Sequence, residues 1–300
     1  MGQVIPASLA QATIDREGAA GRAWIEALPG LVDQYLERWN CTRDGDVLHG
    51  QVGVVVPVRR AQRSAVLKIS FPHPGNVAEP LALAAWDGRG AVRLLERDDE
   101  QFAMLLERAR QETLEDLGST DEALVVAGRL ARRLAVPAPP EIPRLQVGAA
   151  AWEQQMLAQD NELGHPMPAR VIDVALDTIR AFGADQTDTL MHGDLHFANV
   201  LRAEREPWLA IDPKGLAGSA AYDAATIIRD RPAELLGAAD LRKALIRRIE
   251  IFSEAAEVDR DLALCAAQAR MVSSALWERQ HEQPRVGVEL AERVASLLVS

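Results

Sequence analysis

Three hundred residues with a formal charge of −11, 48% hydrophobic and 4% aromatic, describe an acidic globular chain with enough apolar mass for a core. The negative balance argues against a nucleic-acid partner, which needs a basic face, and suits a cationic small-molecule partner. Cys41 and Cys265 form no C-x-x-C pair, so neither a zinc site nor a disulfide framework is expected.

Met1 to Ala20 holds Asp15, Arg16 and Glu17 and no apolar h-region, and no apolar run approaches the ~20 residues of a membrane span. A cytoplasmic protein with no membrane partner is therefore expected, as a monomer or homodimer. Residues 8–39 read as two or three short helices, with Trp24, Ile25, Leu28, Leu31, Val32, Tyr35, Leu36 and Trp39 at helical spacing and Pro29-Gly30 as an interruption. The period then changes. Gln51 to Arg60 and Ala65 to Phe71 are Val- and Ile-rich strands joined by a hairpin at Arg60-Ala61-Gln62-Arg63. Val77 to Trp86 reads as a short helix closed by Asp87-Gly88-Arg89-Gly90. Ala91 to Leu95 and Gln101 to Glu107 read as two more strands. Ser119-Thr120-Asp121-Glu122 is a capping box opening a helix to about Leu134. Pro137 to Pro143 reads as a proline-rich linker. Helices are expected at 144–161, 167–182, 222–230, 240–257, 260–280 and 286–299.

Between these helices lies the most informative stretch, His192-Gly193-Asp194-Leu195-His196-Phe197-Ala198-Asn199, followed by Ile211-Asp212-Pro213-Lys214-Gly215. Asp194 and Asn199 are five apart, and Asp212 follows Asp194 by eighteen. Apolar runs flank them, so two short strands would bring Asn199 and Asp212 to neighbouring strand ends facing one cleft. Phosphoryl transfer from a magnesium nucleotide needs these side chains: one carboxylate to orient and deprotonate the attacking hydroxyl, an amide oxygen and a second carboxylate to hold the metal. The protein-kinase pattern is H-R-D-x-x-x-x-N followed by D-F-G. Here it reads H-G-D-x-x-x-x-N and D-P-K-G, a variant that resembles the aminoglycoside phosphotransferase group of small-molecule kinases. A structural alternative, an Asp-rich turn with His192 satisfied inside it, does not account for all three residues in register.

The resemblance implies an α+β, bilobal protein-kinase-like fold, with a small antiparallel-sheet N-lobe carrying a helical extension (residues 1–107) and a mainly helical C-lobe (108–300). It implies Asp194 as the catalytic base, Asn199 and Asp212 as magnesium ligands, and ATP as donor, with GTP not distinguished. Lys68 in Ala65-Val66-Leu67-Lys68 looks like the phosphate-binding strand lysine, and Glu79, the acid opening the next helix, like its partner. Glu107, Arg108 and Ala109 stand where the hinge backbone would hold adenine. Gly45, Gly50 and Gly53 make no G-x-G-x-x-G, so the phosphate loop is unassigned.

Four segments are similar to one branch, the streptomycin 6-kinase and hydroxyurea phosphotransferase family. They are Gly21 to Pro29, Ala65 to Lys68, Trp86 to Leu95 and Ile211 to Leu216. That branch implies phosphorylation of an aminoglycoside hydroxyl, foremost on streptomycin. Alternatives are a kinase for another metabolite or a hydroxyurea-type compound, and a nucleotide-binding pseudokinase. A cationic acceptor calls for carboxylates; Glu153, Asp160, Glu250, Glu254, Glu278 and Glu282 are candidates, with Trp277 as a flat wall, although each also reads as a solvated helix residue. Asp223 reads as structural, ordering the loop after Asp212.

Overall fold

The computed structural model describes residues 5–281 and 283–299. Helix α1 (Ala7–Arg38) buries Trp24, Leu28, Val32 and Tyr35 along one stripe, the spacing of an amphipathic helix. It breaks at Gly18 (φ 60°, ψ −127°), a conformation glycine reaches without a Cβ clash. The interruption expected at Pro29-Gly30 does not occur, and the helix runs through Pro29. An interior proline costs about 3 kcal/mol. Burial of Leu28 and Val32 beside it, about 1.5–3 kcal/mol each, outweighs that cost.

Strands β1 (Thr42–Arg43), β2 (Leu48–His49), β3 (Gly53–Arg60) and β4 (Arg63–Ser70) come next, then helix α2 (Glu79–Trp86) and strands β5 (Leu94–Asp98) and β6 (Ala103–Glu107). They form one antiparallel sheet in the order β1-β3-β4-β6-β5, with β2 also paired to β3. Strand alternation decides what each face does. Val54, Val56, Val58, Leu67, Ile69 and Leu105 pack with α1 into one core. Val55, Pro57, Val66 and Lys68 fall on the other face and line a cleft. The β3–β4 register, with Val56 opposite Leu67, therefore sets the position of Lys68; a one-residue slip would exchange the faces.

The rest is mostly helical. Ser119 caps α3 (Thr120–Leu134) by accepting the Glu122 N–H. Strand β7 (Val136–Pro137) leads to α4 (Leu145–Glu162), α5 (Ala169–Ala184) and β8 (Thr189–Met191). The segment read as a linker is packed instead: β7 pairs with β8, Ile142 is buried, and the Arg144 guanidinium donates to the carbonyls of Pro139, Pro140 and Ile142. Prolines bring no N–H to satisfy, so one arginine suffices to fix this stretch. Strands β9 (Val200–Arg202) and β10 (Trp208–Ala210) form a hairpin, and β11 (Leu216–Ala217) returns to β8. The helix expected over 222–230 is shorter: α6 (Ala224–Ile227) stops before Arg231 (φ 51°), where α7 (Pro232–Leu236) begins. Helices α8 (Leu241–Ala256), α9 (Arg260–Gln280) and α10 (Arg285–Leu297) complete the chain. Their shared core extends to Ala82, Leu83 and Trp86 of α2 and to Met104 and Leu106 of β6, so the inner side of the small lobe is built into the large one. Among the described residues no helix is long and apolar enough to cross a membrane.

Candidate active site

The loop from β8 to β9 carries Asp194 and Asn199, and it is held from three sides. His192 is fully buried; its Nε2 lies 2.8 Å from the Ile211 carbonyl, and its Nδ1 lies 3.3 Å from the Asp194 amide nitrogen. Since an amide only donates, Nδ1 accepts and Nε2 carries the proton. Burial pushes its pKa down to about 4, so the ring is neutral. It stacks on Trp86, with centroids 6.3 Å apart. The His192 carbonyl accepts the Lys214 and Gly215 N–H groups, which ties this loop to the one bearing Asp212.

Two buried acids grip the same loop. Asp223 accepts the N–H groups of His192 (3.1 Å) and Gly193 (2.7 Å), and Asp230 accepts that of Phe197 (2.7 Å). Burial pushes each up to about 7. Asp223 thus orders the loop that carries Asp194, not the one after Asp212 as the sequence suggested. Its neighbours in sequence gave no hint that its partners lie thirty residues upstream. Asn199 donates from Nδ2 to the Asp194 carbonyl (3.0 Å), a contact that does not use its side-chain oxygen.

The β9–β10 hairpin brings Asn199 and Asp212 to adjacent strand ends: Val200 faces Ala210, and the Ile211 N–H donates to the Asn199 carbonyl at 2.9 Å. Asp212 has φ 55°, a left-handed conformation costing about 1–3 kcal/mol for a residue with a Cβ. Gly215 lets this loop close against α2: a Cβ there would lie 2.9 Å from the Ala78 carbonyl oxygen. Lys68 Nζ sits 2.5 Å from Glu79 Oε1 and 2.9 Å from Asp212 Oδ1. Burial alone would lower the Lys68 pKa; the two carboxylates, Asp212 foremost, overturn this and hold it above its ordinary value. The surroundings raise Asp212, and the Lys68 charge more than offsets them, so its carboxyl lies below the usual range. Its side chain stays 43% exposed toward the cleft.

That cleft, about 410 Å³, is lined by Val55, Val66 and Lys68 from the sheet, by Glu107 to Gln111, and by Leu201, Ile211 and Asp212 from below. Its size is that of a small-molecule site. The Ala109 N–H meets no acceptor in the protein among the described residues. The side chains of Glu107 and Arg108 are engaged with Arg205 and Asp44 respectively, and the Glu107 N–H donates to the Arg93 carbonyl at 2.8 Å. Asn199 and Asp212 offer two hard oxygens, a fit to magnesium, which keeps waters and substrate oxygens as its other ligands. Among the described residues no three His, Cys, Asp or Glu side chains gather into a metal cage.

Most of the candidate acceptor carboxylates are paired with neighbours or exposed, as the solvated-helix reading expects. Glu153 is paired with Arg180 (2.8 Å), Asp160 with His165 (2.7 Å) and Glu250 with Arg260 (3.2 Å), while Glu254 is exposed. Arginines neutralise Glu153 and Glu250, whereas Asp160 keeps one buried oxygen, Oδ1, without a partner. Glu282 lies outside the described residues. Glu278 and Trp277 do line a cavity of about 370 Å³ between α4 and α9, with Trp152, Gln159, Arg229 and Arg270. Glu278 contacts Arg229 at 3.4 Å, and its Oε2 is buried without a hydrogen-bond partner. The wall of this cavity reaches the loop that bears Asp194: Trp152 meets Tyr222 edge-on, and the adjacent Asp223 holds His192 and Gly193. Asp230, Arg229 and Arg270 carried no motif in the sequence, and only the fold selects them.

Over residues 38–282 the chain matches the family described as aminoglycoside/hydroxyurea antibiotic resistance kinase. It is 37% identical over 277 residues to the streptomycin 6-kinase of Streptomyces griseus, covering 91% of this chain and 90% of that protein. To the hydroxyurea phosphotransferase of Kitasatospora aureofaciens it is also 37% identical, over 280 residues, covering 91% and 80%. Among solved structures it resembles a thermostable mutant of the aminoglycoside phosphotransferase APH(4)-Ia in ternary complex with ADP and hygromycin B. There the TM-score is 0.56 at 13% identity, covering 89% of this chain and 97% of that one, a likeness of fold.

Proposed function

The chain belongs to the aminoglycoside/hydroxyurea antibiotic resistance kinase family, as a phosphotransferase with a hydroxyl acceptor, and we propose that it moves the γ-phosphoryl group of ATP to streptomycin. The observation that carries the donor half is the Lys68 ammonium between Glu79 and Asp212, at the edge of a cleft floored by the hairpin that bears Asp212. Lys68 would exchange Asp212 for phosphate oxygens, and the Glu107–Ala109 backbone would hold the adenine, with the lobe boundary after Glu107. Magnesium, held by Asn199 and Asp212, would neutralise charge on the phosphates. The Asp194 carboxylate aligns the acceptor hydroxyl. The acceptor oxygen bonds to the γ-phosphorus, the bond from that phosphorus to the β,γ-bridging oxygen breaks, ADP leaves, and the hydroxyl proton passes to Asp194. His192, Asp223 and Asp230 do no chemistry; they hold the loop so that this alignment persists.

For the acceptor, the α4–α9 cavity supplies Trp277 as a flat wall, 46% exposed, and the Glu278 carboxylate, which contacts Arg229 at 3.4 Å, to meet a guanidinium or hydroxyl. A second reading, hydroxyurea as acceptor, is favoured by the equal identity to the hydroxyurea phosphotransferase and by Arg229 and Arg270, which make this cavity less acidic than a polycation would prefer. We further propose a cytoplasmic setting, in which Cys41 and Cys265 stay free thiols.

Mass spectrometry after incubation with Mg-ATP separates the acceptors. Streptomycin should gain one phosphoryl group and hydroxyurea much less. Asp194→Asn should lower kcat by about 10²–10⁴-fold while the KM for ATP stays within about twofold. Turnover of hydroxyurea with streptomycin unmodified would overturn the acceptor but not the donor site.

A further inference from the structure

The segment Trp86-Asp87-Gly88-Arg89-Gly90-Ala91 has no part in the chemistry above, yet it touches both the loop that bears Asp194 and the hairpin that leads to Asp212. Trp86 stacks on His192, next to the catalytic loop. The Gly90 carbonyl accepts the Ala210 N–H (2.9 Å), and the Ala210 carbonyl accepts the Val92 N–H (3.1 Å), a parallel bridge two residues before Asp212. At the far end of the same hairpin, between β9 and β10, sits Arg205. Its Nε and Nη2 meet the Glu107 carboxylate at 2.9–3.2 Å, Nη2 donates to the Ala91 carbonyl (2.9 Å), and Nη1 donates to the Gly88 carbonyl and to Glu206 (both 2.6 Å). All the donors of the guanidinium are used, a geometry that the single ammonium of lysine cannot copy. Glu107 is held in turn by the Arg93 amide, and Glu206 by Arg133 of α3.

The β9–β10 hairpin therefore has Asn199 and Asp212 at its base and Arg205 at its tip. The tip is bolted to Glu107, the residue that begins the hinge. Each arm of the hairpin has three strand residues, a length of about 10 Å at 3.3 Å per residue. We propose that Arg205, through Glu107 and the Gly88–Ala91 carbonyls, is a positioning residue that sets the distance between the hinge and the pair Asn199 and Asp212, and so the fit of the nucleotide as a whole. The hairpin acts as a spacer with one end on the base and the other on the phosphates. This inference rests on the donor-site reading given above.

A purely structural arginine would lower the folded fraction, and hence apparent kcat, with KM unchanged. A positioning arginine acts on nucleotide binding. For Arg205→Met the KM for Mg-ATP should rise about tenfold or more, the order expected when a binding group is displaced by a fraction of an ångström. The KM for the acceptor should stay within about twofold. Arg205→Lys should recover little, because it restores charge without the fork. Glu107→Gln, which is isosteric and keeps the hinge backbone, should reproduce the effect, and the double variant should be no worse than either single one. Glu107→Gln also provides the test if Arg205→Met does not fold. An unchanged KM for Mg-ATP in both variants, or effects that add in the double variant, would overturn the proposal. Lys68→Met is the control on the premise. If it also leaves nucleotide affinity unchanged, the donor-site reading fails; if it weakens binding while Arg205→Met does not, only the spacer fails.

Discussion

Removing the Lys68 ammonium should expose how the buried pair is balanced. Lys68 and Glu79 are 7% and 4% exposed, and their 2.5 Å contact is among the most desolvated ion pairs in the chain. Lys68→Met leaves the Glu79 carboxylate buried without a counter-charge, which costs about 3–5 kcal/mol. The Asp212 contact adds little to that figure, because its carboxylate is 43% exposed and solvent screens it. Burial already acts to raise Glu79, and without Lys68 nothing comparable opposes it. The folded-state pKa of Glu79 in the variant then lies above its unfolded value of about 4.3. A group raised in this way contributes stability that is fully present below the unfolded value and is lost as pH rises through the folded one. The variant should therefore be most impaired at pH 8 and recover toward pH 5, by about 1.4 kcal/mol for each pH unit within that window. Lys68→Met/Glu79→Leu removes the orphaned charge and should regain most of the loss while remaining inactive. Urea unfolding of the two variants and the parent at pH 5 and 8, without nucleotide, measures all of this. A destabilisation equal at both pH values, or a double variant less stable than the single one, would refute the reasoning.

Two more outcomes follow from the loops around Asp194. Asp212→Asn should reduce turnover about a hundredfold or more and leave stability within about 1 kcal/mol, since the side chain is half-exposed; near-parental rates at ordinary magnesium would mean that this residue does not hold the metal. Asp223→Asn keeps one acceptor oxygen but turns an NH₂ toward an amide N–H, at a cost of about 1–3 kcal/mol and a loss in kcat. Because burial pushes Asp223 up to about 7, its contribution is complete below pH 4 and fades as pH rises through 7; the parent should lose stability from pH 5 to 8, and the variant should lose less. Unfolding midpoints across that range check the slope, and equal slopes would contradict the assignment.

The sequence by itself determined the class of fold and singled out the residues proposed above to carry the chemistry. Asp194, Asn199 and Asp212 stand at spacings set by one loop and one hairpin, so local structure alone brings two of them to adjacent strand ends. The alternation in β3 and β4 likewise puts Lys68 opposite the face packed on α1, and Glu79 follows as the acid that opens α2. Periodicity read α8 and α9 well, with bounds within a residue of those expected. It failed where tertiary contacts override local preference: the helix persists through Pro29 because its stripe is buried on both sides, and the proline-rich stretch packs because Arg144 gathers its carbonyls.

What only the tertiary structure decided is the set of partners far apart in the chain. Asp223 and Asp230 reach back to a loop about thirty residues earlier, and Arg205 reaches across 98 residues to Glu107. None of these pairings has a periodic or local signature, since each depends on which elements the core brings side by side. The acceptor carboxylates show the same limit from the other side. On the sequence Glu153, Asp160 and Glu278 look alike; in the fold Glu153 pairs with Arg180, Asp160 bonds to His165, and Glu278 lines a cavity beside Arg229. Charge is written in the sequence, but whether a charge is spent on a neighbour or left for a ligand is settled by packing.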